Sequence, residues 1–212
     1  MANKASTAIS AMGAGFSVVA VVASTQQISK ALMDAEASAV KFKAAFTSIS
    51  GADSVGREME FVRGTARSLG LDLEQVSSSY IKLSAASRGT SLQGEQTREI
   101  FTAVSKAATT LGLSASETDG ALLAISQMMS KGTVSAEELR GQLGERLPGA
   151  FQIAARSMGV STSELGKMME AGQVIAEDFL PKFAKQITKE LGQASADAAH
   201  TAAREMQRLS NE

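Results

Sequence analysis

From Val55 onward, apolar residues recur at three- and four-residue spacing, the period of a helix that turns one face to a core. Val55, Met59, Val62, Ala66 and Leu69 make a first stripe, and Val76, Tyr80 and Leu83, extended to Ser87, a second. Ile100, Val104, Ala107, Ala108 and Leu111 make a third. Leu122, Ile125 and Met129, with Met128 beside them, make a fourth. The loop from Ser87 to Gly94, containing Arg88-Gly89-Thr90, separates the second stripe from the third. Shorter helices are predicted at about Ala136 to Arg146, Gly149 to Met158 and Thr162 to Glu170. After Pro181 the series Phe183, Ile187, Leu191, Ala194, Ala198 runs almost to the end of the chain, on a weak, Ala-rich seam that calls for a partner helix. No period-two alternation competes with these stripes, so the fold class is all-α, a multi-helix bundle of short and medium helices with longer Ala-rich helices at both ends.

The stripes are separated by recurring punctuation. Ser68-Leu69-Gly70-Leu71-Asp72, Thr110-Leu111-Gly112-Leu113-Ser114 and Ser157-Met158-Gly159-Val160-Ser161 each read as a helix stop followed by a helix start. The glycine takes the left-handed conformation that ends one helix. The Asp or Ser then accepts hydrogen bonds from the amides that open the next. Gln75, Glu117 and Glu164 follow three residues later and complete a predicted capping box in each case. Ser135 with Glu138, after Gly132, is a fourth. Leu71 with Val76, Val134 with Leu139 and Val160 with Leu165 can staple these helix starts. Such phrases join any pair of helices, so they indicate shared stop-start chemistry and not a true repeat. Pro148 ends one short helix or opens the next. Pro181 is either early enough in its helix to be tolerated or a kink. The stretch Gly132 to Gly149 is expected to form a helix-turn-helix unit whose angle is set at Leu147-Pro148-Gly149.

The amino terminus follows a different pattern. No charge lies between Lys4 and Lys30, and Ala8 to Ala23 reads AISAMGAGFSVVAVVA. A membrane span needs about 20 strongly apolar residues, and this run is shorter and interrupted by Ser10, Gly13, Gly15 and Ser17. A secretory signal peptide fits in shape, but only Lys4 supplies its basic region. The preferred reading is a helix buried by protein, in a self-associated bundle or against another component, because its small residues suit close helix contact. Membrane contact through residues 5–29 remains an open alternative. The expected organisation is a small-residue segment at 1–39, a helical domain at 40–192 and an Ala-rich tail at 193–212.

Composition removes several kinds of chemistry. The 212 residues hold 21 Lys plus Arg against 22 Asp plus Glu, one His and no Cys or Trp. Near-neutral charge gives no reason to expect specific nucleic-acid binding. Without cysteine there is no thiol nucleophile, thiolate metal site or disulfide, and His200 alone cannot build a multi-histidine site. Aromatic residues make up only 4%, so Leu, Ile, Val, Met and Ala must fill the core. Gly141, Gly144 and Gly149 fall close together but lack the Gly-Lys-Ser or Gly-Lys-Thr ending and preceding strand of a phosphate loop. The pairs Glu137-Glu138 and Glu177-Asp178 could suggest glycoside hydrolysis, yet both sit at helix starts, where negative charge favours the dipole. The Met128-Met129 and Met168-Met169 pairs read as core filling, and Arg140, Arg146 and Arg156 as solvated surface. No catalytic, metal or cofactor-binding residue is assigned. The structural motif consists of Gly132, Glu138, Gly141, Gly144, Pro148, Gly149, Gly159 and Pro181.

The stretch from Gly51 to about Leu191 resembles the N-terminal region of bacteriophage and prophage tail tape measure proteins. Phe61-Val62-Arg63, Leu69-Gly70-Leu71 and the run Tyr80-Ile81-Lys82-Leu83-Ser84-Ala85-Ala86 carry part of the likeness. Its most specific part reads ISQMMSKGTVSAEELRGQLGERLPGA, from Ile125 to Ala150, with an unusual spacing of glycine, glutamate and proline. Met158 to Leu165 and Phe179-Leu180-Pro181 complete it. The resemblance implies a protein that occupies the lumen of a phage tail tube, fixes tail length during assembly and leaves at genome delivery. It also implies tail-tube and tail-assembly chaperone partners, a virion location after passage through the host cytoplasm, and no enzymatic residues. Members of that family are usually far longer than this chain, which looks like one domain, a truncated product or a fragment of such a protein.

Overall fold

The computed structural model describes residues 39–49 and 51–191. The chain divides into two units, Met1–Lys41 and Phe42–Glu212; apart from residues 39–41, every described residue belongs to the second. The charge-free segment at 5–29, the tail at 193–212 and His200 lie outside the described residues.

Helix α1 spans residues 39–49 and buries Phe42 and Phe46, one turn apart, with their rings stacked at 4.6 Å. Gly51 (φ 82°) and a 3-10 turn at Ala52–Ser54 redirect the chain into α2, Val55–Leu69. The first predicted stripe is the buried face of α2, except that Met59 is only partly covered. Gly70 (φ 65°) ends α2, the Leu71 amide reaches back to the Ala66 carbonyl at 2.9 Å, and Asp72 caps α3, Leu73–Ala86. The loop after α3 is held from inside by Leu92, which is wholly buried and whose carbonyl accepts from the Thr97 hydroxyl at 2.6 Å.

Helices α4 (Glu95–Thr110) and α5 (Ala115–Lys131) follow. Of the third predicted stripe, Ile100, Val104, Ala107 and Ala108 are buried, whereas Leu111 is 39% exposed. Leu111 is already the C-cap of α4, beyond the last residue whose position the helical period fixes. Helix α5 packs against α3, α4 and the segment that follows it. Ala121 and Ala124 lie among Leu122, Ile125, Met128 and Met129 on its buried surface, and small side chains let neighbouring backbones come close.

Gly132 (φ 73°) ends α5. The backbone then runs extended: the Val134 amide donates to the Val174 carbonyl at 2.9 Å and the Ala176 amide to Gly132 at 3.0 Å. This is an isolated antiparallel bridge, Thr133 to Ile175, and there is no strand among the described residues. Element α6 comprises π-helical Glu137–Leu143 and a last α-helical turn, Gly144–Arg146. Helices α7 (Ala150–Met158) and α8 (Thr162–Glu170) then lead to α9, residues 176–191, which continues unbroken through Pro181. One hydrophobic cluster extends from Phe42 to Ile187, so α1 to α9 share a core. No helix among the described residues is long and apolar enough to cross a membrane.

Candidate functional site

The most distinctive sequence, Ile125 to Ala150, becomes the end of α5, the bridge segment and α6. Its centre is Glu138, which is 0% exposed. The carboxylate accepts hydrogen bonds from the Lys131 ammonium and the Ser135 hydroxyl. Burial acts against its charged form, but these two donors outweigh burial and hold its titration below the usual carboxylate range. Ser135 and Glu138 therefore do not form the predicted reciprocal box; their side chains bond each other, and Glu138 is an interior anion rather than a solvated cap. Val134 and Leu139 are both buried beside it, as the staple reading requires.

The π-helical winding explains the glycine spacing in part. The Gly144 amide donates to Leu139, five residues back, which is the bond that defines a π turn. A Cβ on Gly144 would stand 3.2 Å from that same carbonyl oxygen, whereas one on Gly141 would meet nothing within 4 Å. The crowding accounts for Gly144; nothing in the structure explains Gly141. Pro148 lies in the turn and not at a first helical position, because α7 opens at Ala150 with Gly149 as its N-cap. Gly149 has φ 83°, so its role is conformational, and Gly159 (φ 70°) ends α7 in the same left-handed way. Gly132, Glu138, Gly141, Gly144, Pro148 and Gly149 thus sit along one continuous stretch. Gly159 closes the next helix, and Pro181 lies in α9.

The arginines assigned to solvent make specific contacts. The Arg140 guanidinium stacks over the Phe151 ring at 4.2 Å, joining α6 to α7. Arg146 donates to the Gln142 carbonyl at 2.6 Å and lies across Gly120 of α5, where a Cβ would come within 2.2 Å of its Nε. Arg156 makes a two-pronged pair with Glu190, at 2.8 and 2.6 Å. The second carboxylate pair divides: Glu177 accepts from the Ser91 amide and hydroxyl, which lower its titration, while Asp178 pairs with Lys182 one turn on.

A second interior network has no sequence signal. The Tyr80 hydroxyl donates to Glu58, and Arg98 bridges Glu58 at 2.6 Å and Glu95 at 2.5 Å. Burial first, and then the Glu58 carboxylate, push the Tyr80 phenol far above its usual range. Glu58 is 22 residues from Tyr80 and 40 from Arg98 along the chain, so only the fold brings them together. The Tyr80 ring is packed among Phe46, Phe61 and Phe101, with centroids 4.8 to 5.4 Å away. Tyr80 and Glu58 face each other in the interior and pin helices, while Arg98 and the exposed Glu95 reach the surface and line a hollow there. No group of three or more His, Asp or Glu among the described residues could hold a metal ion.

A family model described as tape measure protein matches residues 46–212. A relative from Salmonella phage Felix O1 (isolate Felix O1-VT1), named probable tape measure protein, is 48% identical over 67 residues. That match covers 32% of this chain and 9% of the relative. No solved structure matches. With the family model spanning most of its length, the chain belongs to the tape measure protein family, a structural rather than catalytic group of phage tail components.

Proposed function

We propose that this chain acts as the folded, docking part of a tail tape measure protein. That protein sits in the lumen of the tail tube, sets tail length during assembly in the host cytoplasm and leaves when the genome is delivered. The observation that carries the reading is the family match over residues 46–212. The folded-back path of the described residues supports an anchoring share of that work for this unit. A single helix of about 140 residues would extend roughly 210 Å, but here the chain turns back at Gly70, Gly112, Gly132 and Gly159 around one core. Such a body anchors, and the ruler is extended helix elsewhere in the parent. The proposed partners are the tail tube, tail-assembly chaperones and further copies of the protein, with no specific nucleic acid.

Tail lengths in electron micrographs test both roles. Duplicating a stretch of about 30 helical residues in the parent, outside this unit, is expected to lengthen tails by roughly 45 Å. Deleting residues 51–191 is expected to abolish tails instead of shortening them. Unchanged length in the first case overturns the tape measure role. Shortened, intact tails in the second overturn the docking role.

A further inference from the structure

Helices α4 and α9 lie side by side and run in the same sense. Glu95 and Glu99 share one surface hollow with Ala184 and Lys185, while Ala107 shares the next with Leu191. The two hollows, about 460 and 400 Å³, have Ala103, Lys106 and Thr188 in common and therefore form one groove. Its floor is alanine: Ala103, Ala107 and Ala184 are each at most 4% exposed. From Glu95 to Ala107 it runs about 18 Å, a little over three helical turns, and a floor without large side chains admits another helix backbone at close range. The charges differ between its halves. The first hollow mixes both signs: Glu95, Glu99, Lys106, Lys185 and Arg98, which is already paired with Glu58 and Glu95. In the second, Lys106 and Lys189 are joined by no carboxylate. Glu190, beside Lys189 in the chain, is held by Arg156. Glu99, Lys106, Lys185 and Lys189 have no ion-pair partner among the described residues.

We propose that this groove binds a helix of a partner protein, small and apolar on its buried face and carrying carboxylates at the end that lies over Lys106 and Lys189. The inference deepens the docking role proposed above and rests on it. Two ammonium groups beside an apolar floor, with no carboxylate among them, are complementary to an acidic partner. Lys185 and Lys189 are also one turn apart on α9, where like charges destabilise a helix until one is neutralised. A nucleic acid is a poorer match, because a strand charged along its whole length would meet Glu95 and the unpaired Glu99 in the first hollow. A second copy of the chain offers no such helix among the described residues. Its exposed large apolar side chains, Val40, Leu73, Leu111, Leu123 and Ile175, stand singly on different elements and make no row.

Thr188 borders both hollows, and its hydroxyl bonds within its own helix, to the Ala184 carbonyl at 2.9 Å. It is therefore the site for a photo-crosslinker. The parent protein carrying Thr188→benzoylphenylalanine is irradiated in tail-producing cells, and the cross-linked peptides are mapped by mass spectrometry. The expected product joins this site to an acidic, small-residue helix of a different protein. Lys106→Glu with Lys189→Glu should lower its yield severalfold, since like charges would then face one another; Lys106→Arg with Lys189→Arg should keep it. Circular dichroism of each purified variant checks that the fold is intact. Cross-links to nucleic acid, to a second copy or within the chain itself would overturn the proposal. So would no cross-link, or a yield indifferent to the charge reversals. If deleting residues 51–191 abolishes tails while this cross-link is missing, the docking role stands and the groove assignment alone fails.

Discussion

Glu138 and Lys131 form one pair with unequal members: the carboxylate side chain is 1% exposed and the lysine side chain 52%. Removing the carboxylate leaves an ammonium that can turn to water, so Glu138→Gln should cost only about 1 kcal/mol, the value of a lost hydrogen bond. Removing the lysine strands an interior anion, and Lys131→Met should cost about 3 kcal/mol. The pH dependence separates the two. In the parent chain the folded titration of Glu138 lies below its unfolded one. Its contribution is therefore complete above the ordinary glutamate value, about 4.3, and is lost as pH falls through the lowered folded value. Without Lys131, burial dominates and raises the folded value above the unfolded one, so the variant should regain stability as pH falls toward 4. Urea midpoints between pH 4 and 7 measure this. Parallel pH profiles for the parent and Lys131→Met would refute the assignment. None of this was legible in the sequence, where Ser135 and Glu138 have the spacing of an ordinary exposed cap.

Helix ends were more legible than helix winding. Gly70, Gly112, Gly132 and Gly159 all have positive φ, as their place in the stop signals predicts. Asp72, Ser114 and Ser161 each accept from the amide three residues on. Only Ser114 with Glu117 completes the reciprocal box; Gln75 reaches instead to the Ala115 carbonyl, a contact 40 residues away that local spacing cannot anticipate. The π-helical α6 was read as an ordinary short helix because one extra residue per turn barely changes an apolar pattern only a few residues long. Residues 39–49 fall at the start of the helical region expected from residue 40, and Phe42 and Phe46 are their buried face. Glycine's two roles yield a paired prediction. Gly64 is exposed within α2 and a Cβ there meets nothing within 4 Å, so Gly64→Ala should stabilise by about 0.5–1 kcal/mol. Gly132 is equally uncrowded but left-handed, so Gly132→Ala should destabilise by roughly 1–2 kcal/mol. Thermal melts that move in the same direction for both would contradict these placements.

At the scale of the molecule, the question is whether the helices form one cooperative body or a chain of semi-independent hairpins. Short helices joined by similar stop-start phrases leave both possible from sequence alone. The structure joins the ends: the Gly132–Val134 backbone bonds to Val174–Ala176, Glu177 holds Ser91, and the apolar cluster is unbroken from Phe42 to Ile187. Tyr80 provides an intrinsic probe, because it is the only tyrosine and the chain has no tryptophan. It reports on the aromatic cluster of α1 to α4, whereas Leu139, 0% exposed, lies in α6. Leu139→Ala deletes interior volume and should cost about 2–5 kcal/mol. In one cooperative body that loss reaches every element, so Tyr80 fluorescence and far-ultraviolet circular dichroism should shift to lower denaturant together, with superimposable transitions. In a string of hairpins, the helical signal would break into two steps while the Tyr80 midpoint stayed in place. The same distinction bears on the proposed role, since an anchor under load resists with its whole stability only if it cannot open one hairpin at a time.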